Sequence, residues 1–425
     1  MQIIKNSAIY LGASILNKAI PLLLLPILTE YLTQSEFGIL SLFQVLISFS
    51  NALVGMAINA NVSKNFFHYD KKRLAISIGN MLIILCCSTL LVLLITWGFT
   101  IMQEALFSVP RRWVRVIPLL SFMFMVNTIN LTIFRMEQKA FKFGVFEVAN
   151  TLINVGATLI LLIFYEFGWY SRAVGILLAY LVFFVLSFGI MFKTDYVDLK
   201  FSKRESNAIL KMSLPMIPHA IGSIIIAMSD RLFIEKMVGL KEVGIYTVGY
   251  MFGMLVLLFT EAFLKAWNPW FFKMMAKGTR EIKEKVVFYT YSYLVFVIVL
   301  TMMVSVISKF IIPYFVDERY FDAIKYVPWI AIGYTFFGVY QIFFPYLVYL
   351  NKTYFLAIST TVAAILNLLL NYFLIDAYGT IGAAYATIIA FAISSAMVYF
   401  FQKRHCRMPW FSFDLKQRLR AIRKW

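Results

Sequence analysis

Residues 211–246, KMSLPMIPHAIGSIIIAMSDRLFIEKMVGLKEVGIY, decide how the chain is read. The stretch opens on a basic residue, runs through a long apolar segment and carries Asp230 and Arg231 near its far end. It also restarts the protein. Shifted so that Lys211 falls on Lys5, its Glu242, Gly244 and Ile245 fall on Glu36, Gly38 and Ile39. A shared E-x-G-I after an apolar run marks two similar halves, each opening on the same helix–turn–helix. A second pair of segments repeats as well. Asn154 to Gly175 and Asn367 to Gly382 each hold an Asn-led apolar run, an aromatic–glycine pair and a closing glycine.

Outward from that stretch, the composition fixes the solvent. Of 425 residues, 61% are hydrophobic and 14% charged, and the mean hydropathy is +0.80. A soluble domain is nearer a quarter charged, so this is an all-α polytopic membrane protein. Its apolar runs reach roughly 20 residues, the length of a membrane-crossing helix rather than a barrel strand. About twelve spans are predicted: 6–32, 37–60, 74–100, 115–135, 144–165, 172–192, 212–238, 244–267, 286–309, 324–350, 353–375 and 381–401.

The net charge of +18 reads as topology, not nucleic-acid binding. With the N-terminus inside, about 27 Lys and Arg fall on cytoplasmic segments against about 9 outside. Both termini are then cytoplasmic. The predicted organisation is a six-helix lobe over 1–192, a cytoplasmic linker over 193–211, a six-helix lobe over 212–401 and a basic tail over 402–425. Two lobes that both start inside are related by a pseudo-two-fold along the membrane normal. The first apolar run is too long for a signal peptide's core and stays as an anchor. Cys86, Cys87 and Cys406 form no disulfide framework.

Polar stripes at helical spacing mark either a cavity or helix packing. Ser41, Gln44, Ser48, Asn51, Gly55 and Asn59 form one in span two, and Glu147, Asn150 and Asn154 one in span five. Span seven carries His219, Ser223 and Asp230, with Pro215 and Pro218 loosening its start. Span eight carries Tyr246, Tyr250, Leu257, Glu261 and Lys265. The stripes in spans one, two, seven and eight together favour a cavity.

Intramembrane charge is the sharpest signal. Lys18 sits near the middle of span one, where a lysine costs about 2.5–3.5 kcal/mol and marks a pathway or an ion pair. Its structural partner would be Asp230 or Glu147. Arg231 reaches either inward or toward external headgroups. Asp230 is too short for that and is the better proton or sodium site. Glu261 and Lys265 have the spacing of a self-satisfied i, i+4 pair. Glu147 is either interfacial or an ion site. Arg135, Lys139 and Lys142, in the inner loop after span four, are topology determinants and anionic-lipid contacts. No Cys/His cluster suggests a metal, no glycine loop cradles a nucleotide phosphate, and no nucleophile–base set or large outer loop suggests an enzyme.

The run NSAIYLGASILNKAIPLLLLPILTEYLTQSEFGILSLF, the loop FRMEQKAFKFG, the block LPMIPHAIGSIIIAMSDRLFI…EVGIY and the late AYGTIGAAYAT give the chain a resemblance to a known family. It resembles the polysaccharide (O-antigen, Wzx-type) flippases of the multidrug/oligosaccharidyl-lipid/polysaccharide exporter superfamily. The related lipid II flippases usually carry fourteen spans, against the roughly twelve predicted here, which ranks that reading lower. The resemblance implies a V of two six-helix lobes in the bacterial cell inner membrane. It implies alternating access that turns undecaprenyl-pyrophosphate-linked oligosaccharide to the outer leaflet, driven by an H⁺ or Na⁺ gradient without a cofactor. Membrane lipids, a polysaccharide polymerase and a chain-length regulator are the implied partners. On this reading Lys18 and Arg231 attract the pyrophosphate, and Asn51, Asn59, Asn150, Asn154 and Tyr250 bond the sugars. Asp230, Glu147 and Glu261 answer to the ion. A multidrug or organic-cation antiporter on the same scaffold is the alternative, and a cationic lumen speaks against it.

Overall fold

The structure, a computed structural model, describes residues 12, 20, 22–56, 58–101, 103–350 and 352–410. Among them, eleven helical stretches are long and apolar enough to cross a membrane. They coincide with predicted spans two to twelve; span one lies mostly outside the described residues.

The first compact unit holds the chain up to Ile224 together with Val238–Ile245 and Phe315–Tyr320. Its elements are α1 (Leu25–Tyr31), α2 (Gln34–Gly55), α3 (Asn59–Asn65), α4 (Lys71–Phe99), a two-residue hairpin of β1 (Ala105–Leu106) and β2 (Val109–Pro110), α5 (Arg111–Met136), α6 (Ala140–Ile163), α7 (Tyr170–Lys193) and α8 (Lys203–Ser213). Helix α2 starts on a reciprocal cap: the Thr33 hydroxyl accepts from the Glu36 amide while the Glu36 carboxylate accepts from the Thr33 amide, satisfying two orphan donors at once. It stops at Met56, whose φ of 44° is left-handed. The predicted continuous span 37–60 is therefore broken, and Asn59 falls on α3, off the face that Ser41 to Gly55 share. Val54, Ile58, Ile78, Met81, Val126 and Ile133 form the unit's packed interior.

The predicted linker is strapped to α4. Asn80 donates to the Lys200 carbonyl (3.0 Å) and accepts from the Ser202 amide and the Ser206 hydroxyl (2.9 Å each), and Arg73 pairs with Glu205 at 2.9 Å.

The repeated E-x-G-I segments cross each other within this unit. A Cβ on Gly38 would collide with the Leu240 carbonyl, and a Cβ on Gly244 with the Gln34 carbonyl. Leu240 stands two residues before Glu242 as Gln34 does before Glu36, so the two contacts are the same contact made twice. Only glycine lets the two backbones approach this closely. A clasp adjoins them. Arg319 donates to the carbonyls of Thr29 (3.0 Å) and Glu30 (2.8 Å). Tyr320 donates to the Leu32 carbonyl (3.0 Å) and stacks edge-on with Phe37, while Gln34 donates to the Arg319 carbonyl.

The second unit comprises Ile225–Met237, Tyr246–Tyr314 and the chain from Phe321. Helix α9 (Ile217–Met228) leads into it, followed by α10 (Asp230–Met237), α11 (Leu240–Gly253, of which the part from Tyr246 belongs to this unit), α12 (Leu255–Met275), α13 (Arg280–Phe315), α14 (Val327–Tyr349), α15 (Tyr354–Tyr378) and α16 (Thr380–His405). Helix α16 packs on both α14 and α15 through small residues: Ala383, Ala384, Ala386 and Ala390 are buried. In lipid, where burial of apolar surface supplies little drive, such close contact holds helices together.

Replacing Gly244 with Val should cost about 1–3 kcal/mol by overpacking and lower the melting temperature of the purified protein. Gly98→Ala, with nothing near its Cβ, should leave melting unchanged. The clasp should respond to acid. The Arg319 guanidinium, hydrogen-bonded to Asp317, holds that carboxyl below the usual carboxylate range. Its contribution is therefore present above the ordinary Asp pKa of about 3.9 and lost as the pH falls through the lower folded value. Exchange of the Asp317 and Arg319 amides, corrected for intrinsic rate, should quicken over that range, and Asp317→Asn should show the fast exchange already at neutral pH.

Candidate functional site

Span seven is not one helix. A 3₁₀ turn, Leu214–Met216, separates α8 from α9, and α9 stops at Met228 before α10 begins at Asp230. A break in hydrocarbon leaves backbone groups that something must satisfy. Asp230 does part of this: its Oδ1 accepts from the Arg231 amide at 2.9 Å, a carboxylate at a helix start where the dipole favours it. The same oxygen takes the Arg231 guanidinium at 2.9 Å, and Oδ2 takes the Tyr246 hydroxyl at 2.8 Å. Arg231 also donates to the Ala227 carbonyl (3.2 Å) and lies 4.1 Å from the Tyr250 ring centre. Tyr250 donates to the same carbonyl (2.9 Å), and its hydroxyl meets that of Tyr334. Asp230 is 1% exposed and Arg231 5%.

The structure thus brings together Asp230, Arg231 and Tyr250, all three of them predicted site residues, and places them in the interior of the second unit. Arg231 does not extend to external headgroups. Tyr250 spends its hydroxyl within the unit. Next to this cluster, the Asn367 Oδ1 accepts from Ser229 (3.1 Å) and Asn371 (3.0 Å). The Asn367 Nδ2, Asn371 Oδ1 and Thr387 Oγ1 are buried without a partner. Glu261 is half-buried on α12. Span eight is interrupted at Met254, between α11 and α12, so Tyr250 and Glu261 do not lie on one straight stripe.

The first unit holds a second polar cluster. Arg172, the third residue of α7, sends its guanidinium along α6 to the Asn154 Oδ1 (2.6 Å), with the Thr158 hydroxyl at 3.5 Å. Asn154 stands nine residues before the end of α6, about 13 Å along the helix axis, so the charge is carried well along the length of that apolar helix. Among the described residues it makes no ion pair with a carboxylate. Glu147 and Asn150 follow Asn154 toward the start of α6, both half-buried. On α2, Asn51 is half-buried with its Oδ1 buried and unpartnered, while Ser50 accepts from Ser121 at 2.8 Å. Asn59 is half-buried on α3. Lys18 lies outside the described residues. Among the described residues no cluster of His, Cys, Asp and Glu could hold a metal.

Sequence reasoning missed Arg172 because it stands where a span begins and reads as loop charge. Its signal was the repeat: Asn154 and Asn367 lead matching segments, and each proves to be a polar hub of its unit.

Residues 3–275 match the family described as polysaccharide biosynthesis protein, more than half of the chain. The chain belongs to that family. Residues 215–373 also match the MatE family. An uncharacterized membrane protein of Haemophilus influenzae is 25% identical over 299 residues, covering 67% of this chain and 69% of its own. Two solved structures share the fold. The lipid II flippase MurJ in an inward closed conformation has a TM-score of 0.73 at 15% identity, over 94% of this chain and 87% of its own. An inward-facing multidrug resistance MATE family transporter of the MOP superfamily has a TM-score of 0.69 at 14% identity, over 94% of both chains. This member of the polysaccharide biosynthesis family is an all-α polytopic membrane protein with the transporter fold that the resemblance implied.

Breaking the buried Asp230–Arg231 pair should be costlier than removing it. Asp230→Leu and Arg231→Met should each lose about 3–5 kcal/mol of stability, and the double variant should lose less than either alone, as read by thermal unfolding of the purified protein.

Proposed function

We propose that the chain is a flippase that moves undecaprenyl-pyrophosphate-linked oligosaccharide repeat units, of O-antigen, capsule or exopolysaccharide, from the cytoplasmic to the outer leaflet of the bacterial inner membrane. The observation that carries this reading is Arg172, a cation drawn into the membrane and held by an amide and a hydroxyl rather than neutralised by a carboxylate. Buried charge of this kind is expensive and is kept where it meets a counter-ion. A guanidinium whose other N–H groups have no partner among the described residues presents a planar fork that suits phosphate oxygens, and the pyrophosphate is the anionic part of such a lipid. Membership of the polysaccharide biosynthesis family supports the same class of cargo.

In the mechanism, Arg172 and Lys18 draw the pyrophosphate, while Asn51, Asn59, Asn150 and Asn154 offer amides to sugar hydroxyls. Asp230 is the ion-responsive group. A proton on it would discharge the carboxylate and release Arg231 and Tyr246, the second of which otherwise ties α10 to α11. That is a local change able to bias alternating access through an H⁺ or Na⁺ gradient. On this reading, which rests on the distribution of Lys and Arg, both termini are cytoplasmic, and a polysaccharide polymerase and a chain-length regulator are the partners that would take the product onward.

The test is complementation of a strain lacking its own polysaccharide flippase. Surface glycan and lipid-linked repeats trapped inside would both be measured at matched protein level. Wild type and Lys18→Arg should restore export, and Arg172→Lys, which keeps the charge but loses the planar fork, should restore it only in part. Arg172→Gln and Lys18→Ala should lower it about tenfold or more, the worth of a charge-assisted hydrogen bond. Full export by both neutral variants would remove the cationic site. Resistance to cationic drugs in place of glycan export would favour the antiporter.

A further inference from the structure

The inner ends of α5, α6 and α7 enclose a cavity of about 390 Å³ that the transport reading does not use. Its walls are apolar: Ile133, Phe134, Phe146 and Ile190, of which Ile133 and Phe134 are buried. Phe141 and Val145, on the α6 side, are 74% and 48% exposed, so the groove opens away from the protein, toward bilayer. Its rim is basic. Lys139, Lys142 and Lys193 line it, and two left-handed residues, Gln138 (φ 58°) and Asp195 (φ 56°), turn the chain sharply at the ends of α5 and α7. Among the described residues only Lys139 of the three is neutralised internally: Glu137 accepts from it at 2.9 Å and from the Tyr196 hydroxyl at 3.0 Å. Among the described residues Lys142 and Lys193 make no ion pair. At the floor, Asn130 donates to Ser187 (3.3 Å), but its Oδ1 is buried with no partner.

We infer that this groove is a binding site for one anionic glycerophospholipid whose headgroup carries free hydroxyls, phosphatidylglycerol being the simplest. Lys142 and Lys193 meet the phosphodiester, the Asn130 Oδ1 accepts from a headgroup hydroxyl, and the first methylenes of an acyl chain lie along Phe134, Phe146 and Ile190. Basic pockets between transmembrane helices on the cytoplasmic side hold such headgroups, and the volume lies within the range of small-ligand sites. The occupant would brace α6, which packs chiefly on α7. The site does not depend on which cargo the protein carries.

Native mass spectrometry of the purified full-length protein provides the test, with phosphatidylglycerol, phosphatidylethanolamine, inorganic phosphate and undecaprenyl pyrophosphate as separate additions. Wild type should retain one phosphatidylglycerol. Near-surface lysines are worth about fivefold each, so Lys142→Gln with Lys193→Gln should weaken retention on the order of twenty-five-fold. Val145→Trp, which fills the groove without changing charge, should abolish it; each variant is first checked for wild-type melting, and the lysine pair alone decides if the tryptophan fails. Equal retention by wild type and the lysine variant would overturn the site, as would equal retention of the zwitterionic lipid. Competition by inorganic phosphate at similar concentration would reduce it to a bare anion site. Preferential displacement by undecaprenyl pyrophosphate would make it a cargo site instead.

Discussion

In hydrocarbon no backbone N–H or C=O can be left to water, and this constraint shapes the whole chain. It makes continuous helices the default and turns every interruption into a place where side chains must supply the missing bonds. The break at Ser229 is the clearest instance. The Asp230 carboxylate takes the Arg231 amide at the start of α10, and then, because a bare carboxylate could not stay there, it also needs the Arg231 guanidinium and Tyr246. Arg231 in turn needs Ala227 and the tyrosine faces. One broken helix thus commits a cation, an anion and three tyrosines from three helices.

The rest of the architecture follows from how helices hold together when lipid is as apolar as leucine. Small residues on α16 let it lie close to α14 and α15, and the glycines at 38 and 244 let backbone touch backbone. Polar side chains supply direction. Asn80 ties the chain between α7 and α8 to α4 through two hydrogen bonds and the first turn of α8 through a third, so a segment that reads as a free cytoplasmic connection is part of the first unit's wall.

Span positions were legible because a bilayer admits few lengths, and apolar runs such as 286–309 announce themselves. Facing was not. A tyrosine at helical spacing with other polar residues fits a cavity and a packed interior equally well, and Tyr250 proved to be interior because Tyr334, far along the chain, supplies its partner. Asp230 was legible as costly, but not the break that requires it, since Ser229 carries no breaker signal of its own. The interruption of span two at Met56 was hidden likewise, a left-handed methionine being unreadable in an apolar run. Arg172 shows the converse: a charge at a span boundary looks harmless until the neighbouring helix, with Asn154 well along its length, reveals where the side chain goes.

The reciprocal contact of the two E-x-G-I segments bears on the history of the chain. After an ancestral half is duplicated, most positions of the copies face different surroundings and drift apart. Gly38 and Gly244 do not have that freedom. Each is wedged against the other copy's first turn, so enlarging either one pushes on both helices, and no single replacement elsewhere makes room. The copies act on each other as lock and template, which accounts for this short fragment still matching while most of the sequence around it has diverged.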